Sequence, residues 1–259
     1  MFAKRMLTAA REFWDLPRVE INLMLGATAG NDPFFERLVK ELYRDAHRRS
    51  KRHLFLREMV HGVAICKLPP TFDAYYMLID ASARRNHKKA IREGCEVRPI
   101  TYNDHLSEIA DIWTSTDVRQ GKPMPEDYLK GAVKAHANPA SNSPCHDYPY
   151  FGVFYKGKMI GYAGCLIAGD YCGIMHVLGH ADHLPLGAVP MLFVGIAKHL
   201  YEHHKQVKFY NYGMYFGAAD TLRRFKRKFD FLPHRVTWTL DETPKHSAIS
   251  TNSRPTESS

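Results

Sequence analysis

Nothing in this 259-residue sequence is apolar for long. The longest such run, residues 188–197, reaches only about half of the roughly 20 residues that a helix needs to cross a bilayer. A membrane-spanning helix is therefore not expected. Residues 1–14 are interrupted by Lys4, Arg5, Arg11 and Glu12, so they lack the apolar core of a secretory signal, and a cytoplasmic location is the expectation. Cysteine is scarce: Cys66, Cys95, Cys145, Cys165 and Cys172 are odd in number, widely spaced and without a C-x-x-C pair. That pattern argues against a disulfide framework and against a thiolate zinc site. The histidines fall in no H-E-x-x-H spacing, so the sequence predicts no metal site. Acidic residues are outnumbered, with Asp+Glu 27 against Lys+Arg 36 and a net charge of +9. This balance favours an anionic partner, whether nucleic acid, phosphorylated cosubstrate, acidic carrier protein or anionic lipid, and does not choose among them.

What is present is enough apolar side chain, 45% of residues, for a sizeable core. Asn31, Asp32 and Pro33 supply a helix cap and a first-turn proline, after which Phe34, Phe35, Leu38, Val39 and Leu42 recur at helical spacing. Residues 59–68 read as one strand stopped by Pro69 and Pro70, and residues 72–93 as one long helix closed by Gly94. Beyond Cys95 strands alternate with helices: a strand at 96–100, helices at 104–116 and 127–135, and a long loop at 136–148. A hairpin follows at 150–155 and 159–167, then a strand at 171–178, a helix at 190–204, a strand at 208–212, a helix at 218–229 and a last strand at 236–240. The expected organisation is an N-terminal, mainly helical region (1–94), an α/β domain (95–241) and a disordered Ser/Thr/Pro-rich tail (242–259).

Read from 96 to 240, this order of elements is similar to the GNAT superfamily of N-acetyltransferases, over a little more than half of the chain. The run from Leu222 through Phe225, Lys226 and Phe229 to Phe231 and Pro233 looks like the superfamily's last helix and its G-F-x-P step, with Asp230 where a glycine usually stands. Within the superfamily the chain resembles the Fem-type aminoacyl-tRNA-dependent transferases and double-GNAT proteins. Arg85, Ala90 and Gly94 match their R-x-x-x-x-A-x-x-x-G helix end, and Phe225, Lys226 and Phe229 their F-K-x-x-F segment. The resemblance implies a GNAT-like α/β fold with a mixed, mostly antiparallel central sheet flanked by helices, the N-terminal region being a reduced GNAT-like half. It implies an acyltransferase that moves an acyl group from acyl-CoA or acyl carrier protein to an amine, with acyl-CoA as cosubstrate and no tightly bound cofactor. The Fem-type likeness offers aminoacyl-tRNA as the alternative donor. A third reading is a non-catalytic RNA- or membrane-surface-binding protein on the same fold.

The superfamily holds the CoA pyrophosphate at a helix N-terminus with a glycine-rich loop. Here that place, residues 178–190, lacks the doubled glycine, loses N–H donors at Pro185 and Pro190, and carries Asp182. The donor-binding candidates are His180, the backbone of Leu186, Gly187, Ala188 and Val189, and the cations Arg223 and Lys226. Strand alternation puts His176 on one face with Ile174 and Leu178, where the superfamily often keeps its general base. Tyr212 and Tyr215 are candidates for the acid that protonates the leaving group. Arg84, Arg85, Lys88, Lys89 and Arg92 form one electropositive helix stripe suited to tRNA or an acidic carrier. In the last helix Leu222, Phe225 and Phe229 face one way, and Arg223, Arg224, Lys226, Arg227 and Lys228 cover the rest. Against each stands a plain alternative: a hydrogen-bonded half-buried histidine, packed aromatics, solvated helix faces.

Overall fold

The computed structural model describes residues 15–28, 32–49, 57–119 and 121–241; residues 1–14 and the tail expected at 242–259 lie outside them. The described chain enters on a strand, β1 (Arg18–Asn22), inside the region expected to be helical. Helix α1 (Pro33–His47) starts where its cap predicts, with Asp32 accepting from the Phe35 N–H. Strand β2 (His61–Lys67) follows. The single helix expected over 72–93 is two, α2 (Phe72–Leu78) and α3 (Ala81–Arg92). Asp80 is the reason: its carboxylate accepts from the Ser82 N–H at 2.7 Å, which caps a new helix and interrupts the old one.

Next come β3 (Cys95–Ile100), α4 (Leu106–Thr114), a small ribbon of β4 (Val118–Arg119) and β5 (Lys122–Pro123), and the one-turn α5 (Glu126–Leu129). The long loop ends in β6 (His146–Asp147), and β7 (Tyr150–Tyr155) with β8 (Lys158–Ala168) forms the expected hairpin. The order closes with β9 (Tyr171–Gly179), α6 (Ala188–His203), β10 (Phe209–Met214), α7 (Asp220–Lys228) and β11 (Leu232–Thr239).

The strands join in the order β1-β11-β2-β10-β9-β8-β7-β3, with β6 on β8. The pairs β1–β11 and β9–β10 run parallel and the others antiparallel. β2 lies between β10 and β11, so residues on either side of the boundary expected at 94/95 share one sheet. Its run Gly62–Cys66 is buried on both faces, as a continuous apolar segment in a central strand should be. Alternation divides the sheet cleanly. Ala64, Cys66 and Ile167 face α6, with Phe193, Ile196 and Leu200 packed on them. Val63, Ile65 and Leu166 face α1 with Val39 and Leu42, and α4 covers Tyr150 and Tyr162 further along that side. No described helix is long and apolar enough to cross a membrane.

Two irregularities make the site. β10 pairs with β9 from Phe209 to Asn211 and parts from it beyond; there Gly213 takes φ 58° and the register of β10 on β2 shifts. β9 bulges at Met175, since Gly164 pairs with His176 but Cys165 pairs with Ile174. The bulge corrects the alternation expected for this strand. Ile174 and Val177 pack together on the α6 side, Leu178 packs with α4, and His176 no longer shares a face with Ile174.

Candidate active site

Where β9 and β10 part, a cleft of about 380 Å³ opens, lined among others by Arg119, Tyr128, His176, Tyr212, Gly213 and Lys226. Lys226, a donor-binding candidate on the charged arc of the last helix, lines this cleft and is 3% exposed rather than solvated. Its Nζ donates to the carbonyl oxygens of Tyr212 and Met214, each at 2.6 Å, and lies 4.8 Å from the Tyr212 ring centroid. The kink at Gly213 disturbs the strand ladder here, and the ammonium bridges the two carbonyls that flank it. Burial pushes the Lys226 amine down to about 8, so it remains largely charged at neutral pH. Two of its three N–H groups are used by these carbonyls, which leaves one to offer to a ligand.

His176 stands at the junction of the cleft with a second cavity of about 450 Å³, on the α1 side of the sheet. Phe34 and Arg37 of α1, His136 and Asn138 of the long loop, and Tyr148 and Tyr150 line that cavity. Surrounding protein, and then the neighbouring His136, hold the His176 imidazole below its usual range, so it is neutral near pH 7 with a lone pair to offer. His136 is itself fixed: its Nε2 lies 3.0 Å from the Tyr150 hydroxyl, and its backbone exchanges hydrogen bonds with the Asn103 amide. Burial pushes the Tyr148 phenol up to about 12 and raises Tyr150 further, so both stay protonated.

Arg119 links the cleft to a third cavity, about 410 Å³ and mostly apolar, lined by Ile112, Met124, Leu178, Val189, Pro190 and Phe225. The Arg119 guanidinium is anchored by donating to the Val177 carbonyl at 2.9 Å. The three spaces are neighbours, Arg119 and Leu178 lining the first and third and His176 the first and second.

The other candidates divide. Tyr212 lines the cleft, packed 4.8 Å from Phe193, and burial raises its phenol. Tyr215 does not line it. Its N–H donates to the Gly62 carbonyl and its hydroxyl accepts from Arg227 at 3.0 Å, so the chain beyond Gly213 carries this ring into the α6-side core. His180 is 8% exposed and caps the 3-10 turn Ala181–Leu186 by accepting from the Asp182 N–H. Gly187 takes φ 86° at the start of α6, and a Cβ there would lie 3.0 Å from the Asn86 carbonyl of α3. The first turn of α6 is thus covered by α3. Lys89 strengthens the contact by donating to the Pro185 carbonyl at 2.9 Å. Of Leu186, Gly187, Ala188 and Val189, it is Val189 that lines the apolar cavity. Arg223 pairs with Asp220 on its own helix.

The basic stripe divides as well. Arg84 donates to the carbonyls of Tyr76, Met77 and Ile79 and closes the end of α2, while Arg85, Lys88 and Arg92 are exposed. Asp80, at the head of α3, donates its N–H to the Lys228 carbonyl at 2.8 Å, which sets α3 beside α7 and its exposed Arg224, Arg227 and Lys228. Arg119, Arg37, Tyr128 and His136 were not singled out from the sequence. The turn residues Gly121 and Pro123 beside Arg119 were the one local signal; Arg37 sits among ordinary polar positions of α1.

No family model matches this sequence, and no curated protein matches it. Among solved structures the chain is similar to FemX, at 11% identity and a TM-score of 0.53, over 78% of this chain and 66% of FemX. It is also similar to L-PGS from Bacillus licheniformis, at 17% identity and a TM-score of 0.42, over 67% of this chain and 57% of that one. A third is a GCN5-related N-acetyltransferase-like protein from Streptococcus suis, at 13% identity and a TM-score of 0.36, over 77% and 63%. The chain spans less than two thirds of the length of each. Its fold is GNAT-like, with a mostly antiparallel sheet flanked by helices, and of the kind that FemX has.

Proposed function

We propose that this protein transfers an aminoacyl or acyl group directly to an amine, with the reacting carbonyl in the cleft between β9 and β10. The observation that carries the reading is the buried ammonium of Lys226, with one N–H to spare, lining the same cleft as the neutral imidazole of His176. The amine enters from the α1-side cavity as its ammonium form and gives one proton to His176, which frees the nitrogen lone pair. Its nitrogen then bonds to the carbonyl carbon, and the oxygen that takes up the electron pair is met by the Lys226 N–H. Collapse of that intermediate expels the carrier's oxygen or sulfur, which the Tyr212 phenol protonates, and the phenolate recovers its proton from the nitrogen so that a neutral amide leaves.

The donor we infer is an aminoacyl ester on tRNA. Two features support it: the packing of α3 over the first turn of α6, where a pyrophosphate would otherwise sit, and the exposed cations of α3 and α7 on neighbouring helices. An acyl thioester is the second reading, favoured by the apolar cavity behind Arg119, which suits a slender thioester-bearing chain. Titration of the protein with aminoacyl-tRNA and with acetyl-CoA at two salt concentrations tests the choice. Tight, salt-sensitive tRNA binding supports the first reading. Binding of acetyl-CoA alone transfers the proposal to the second, and RNA binding with no group transfer to any amine contradicts catalysis.

A further inference from the structure

On the α6 side of the sheet, away from the cleft, we infer that Asp147, His199 and His204 form a binding site for one divalent transition-metal ion of the zinc class. Each offers one ligand atom, and these atoms all lie within 4.8 Å of one another. Two imidazoles and a carboxylate are the donors that zinc takes in three-residue sites, with a fourth position left open. They are unlike the all-oxygen shells of calcium and magnesium.

The local geometry prepares the set. His199 and His203 are the pair one turn apart on α6, and His203 is exposed. His204 leaves the helix as its C-cap, at φ −132° and ψ 58°, with its N–H on the Leu200 carbonyl. That turn brings its Nε2 to 3.3 Å from Asp147 Oδ2. Asp147 is aimed by its other oxygen, which accepts from the Tyr148 N–H at 2.8 Å. His204 is 9% exposed, and its Nδ1 is buried without a hydrogen-bond partner among the described residues. His199 packs edge-on to Phe151 at 5.0 Å and lies 5.5 Å, ring to ring, from His204. A cavity of about 400 Å³ lined by Leu68, Tyr201 and Lys208 borders His204.

The sequence pattern hides this cluster. His199 and His204 are not one helical turn apart, and Asp147 lies on another element, so the expectation of no metal site gives way to a tertiary one. An ion there fastens β6 to the end of α6. Through Tyr148, the residue after Asp147, it steadies the loop that walls the α1-side cavity. The inference is independent of the proposed reaction.

The test uses the metal-stripped 259-residue chain titrated with ZnCl2 up to about 100 µM, read by equilibrium dialysis and by melting temperature, since an ion that binds the folded state stabilises it. Wild type should take up about one zinc per chain and melt higher. Cobalt in its place should give the visible absorption of a tetrahedral site. Changing His199→Gln together with His204→Gln should raise the zinc concentration for half-occupancy by more than about 100-fold, beyond the loss typical of an outer-shell partner. Asp147→Asn should weaken binding in the same direction, and His203→Gln should leave it unchanged. Wild type that takes up no zinc over this range, or whose melting temperature does not rise, overturns the site even if the double variant fails to fold. A double variant that binds zinc as tightly as wild type overturns it as well.

Discussion

Lys226 donates to the backbone carbonyl of Tyr212 at 2.6 Å and at the same time lies 4.8 Å from that residue's ring centroid, so one buried ammonium fixes the exit of β10 and faces the cleft. The two duties are separable. Lys226→Met keeps a similar stem but removes the N–H groups. It should leave the Tyr212 and Met214 carbonyls short of a donor, at about 1–3 kcal/mol for each group left unsatisfied. If the third N–H meets the developing oxyanion, single-turnover transfer should also slow by about 100- to 1,000-fold. Melting curves read the first effect and quenched-flow rates the second. A variant that melts lower but transfers at the wild-type rate assigns Lys226 to structure alone.

The pH profile should be bell-shaped. Transfer requires neutral His176, whose imidazole lies below its ordinary value, and charged Lys226, whose amine lies at about 8. The rate should therefore rise through the acid limb below pH 6.5, level off, and fall as pH climbs through about 8. His176→Gln should lower the plateau by about 100- to 10,000-fold and flatten the acid limb. Rates that keep climbing from pH 8 to 10 contradict the role given to the ammonium.

Neutralising Arg85, Lys88, Arg224 and Lys228 together should weaken tRNA binding and lower the slope of log affinity against log salt by about 0.7–0.9 for each phosphate that no longer meets a cation. Arg84→Ala should behave differently. It removes three hydrogen bonds to the end of α2, so it should lower stability by about 1–3 kcal/mol and leave the salt slope as it was. An unchanged slope in the quadruple variant argues against this face as the nucleic-acid contact.

Much of the fold is local and was legible for that reason. The Asp32–Pro33 cap and the Lys156–Gly157 hairpin turn act on their immediate neighbours, and both elements begin or turn where expected. The break between α2 and α3 was not, because Asp80 sits inside an otherwise continuous helical pattern and ends it through a single cap. His176 was legible as a candidate base but not its face, since an inserted Met175 resets a two-residue period that no composition reveals. Lys226 is legible as a donor-binding cation but not its burial, because helical spacing places it on the charged arc and the carbonyls that draw it inward belong to β10. Arg37 and His136 reach the same cavity as His176 from α1 and the long loop, a meeting that tertiary packing alone creates.

Asp170, in the β8–β9 turn, gives the fold a pH dependence of its own. It accepts from the Asn22 N–H at 2.9 Å, tying β1 to the turn, and burial pushes its carboxyl up to about 6. Its folded value thus lies above the unfolded one near 3.9. The stability linked to its proton is fully present below that value and lost as pH rises through about 6, by about 3 kcal/mol in all. Asp170→Asn mimics the protonated form. Relative to wild type, urea unfolding of this variant should show a gain that grows from pH 4 to pH 7.5; a difference that does not change with pH contradicts the raised carboxyl.

The central claim is that the cleft between β9 and β10 activates a donor carbonyl toward an amine, and hydroxylamine, a small amine that needs no acceptor recognition, probes it most directly. Mixed aminoacyl-tRNA and, in parallel, acetyl-CoA should be incubated with hydroxylamine and the protein, and the hydroxamate counted. The account predicts protein-accelerated hydroxamate formation from aminoacyl-tRNA, slower by at least about 100-fold in Lys226→Met. Hydroxamate formed from either donor no faster with the protein than without it would contradict the account.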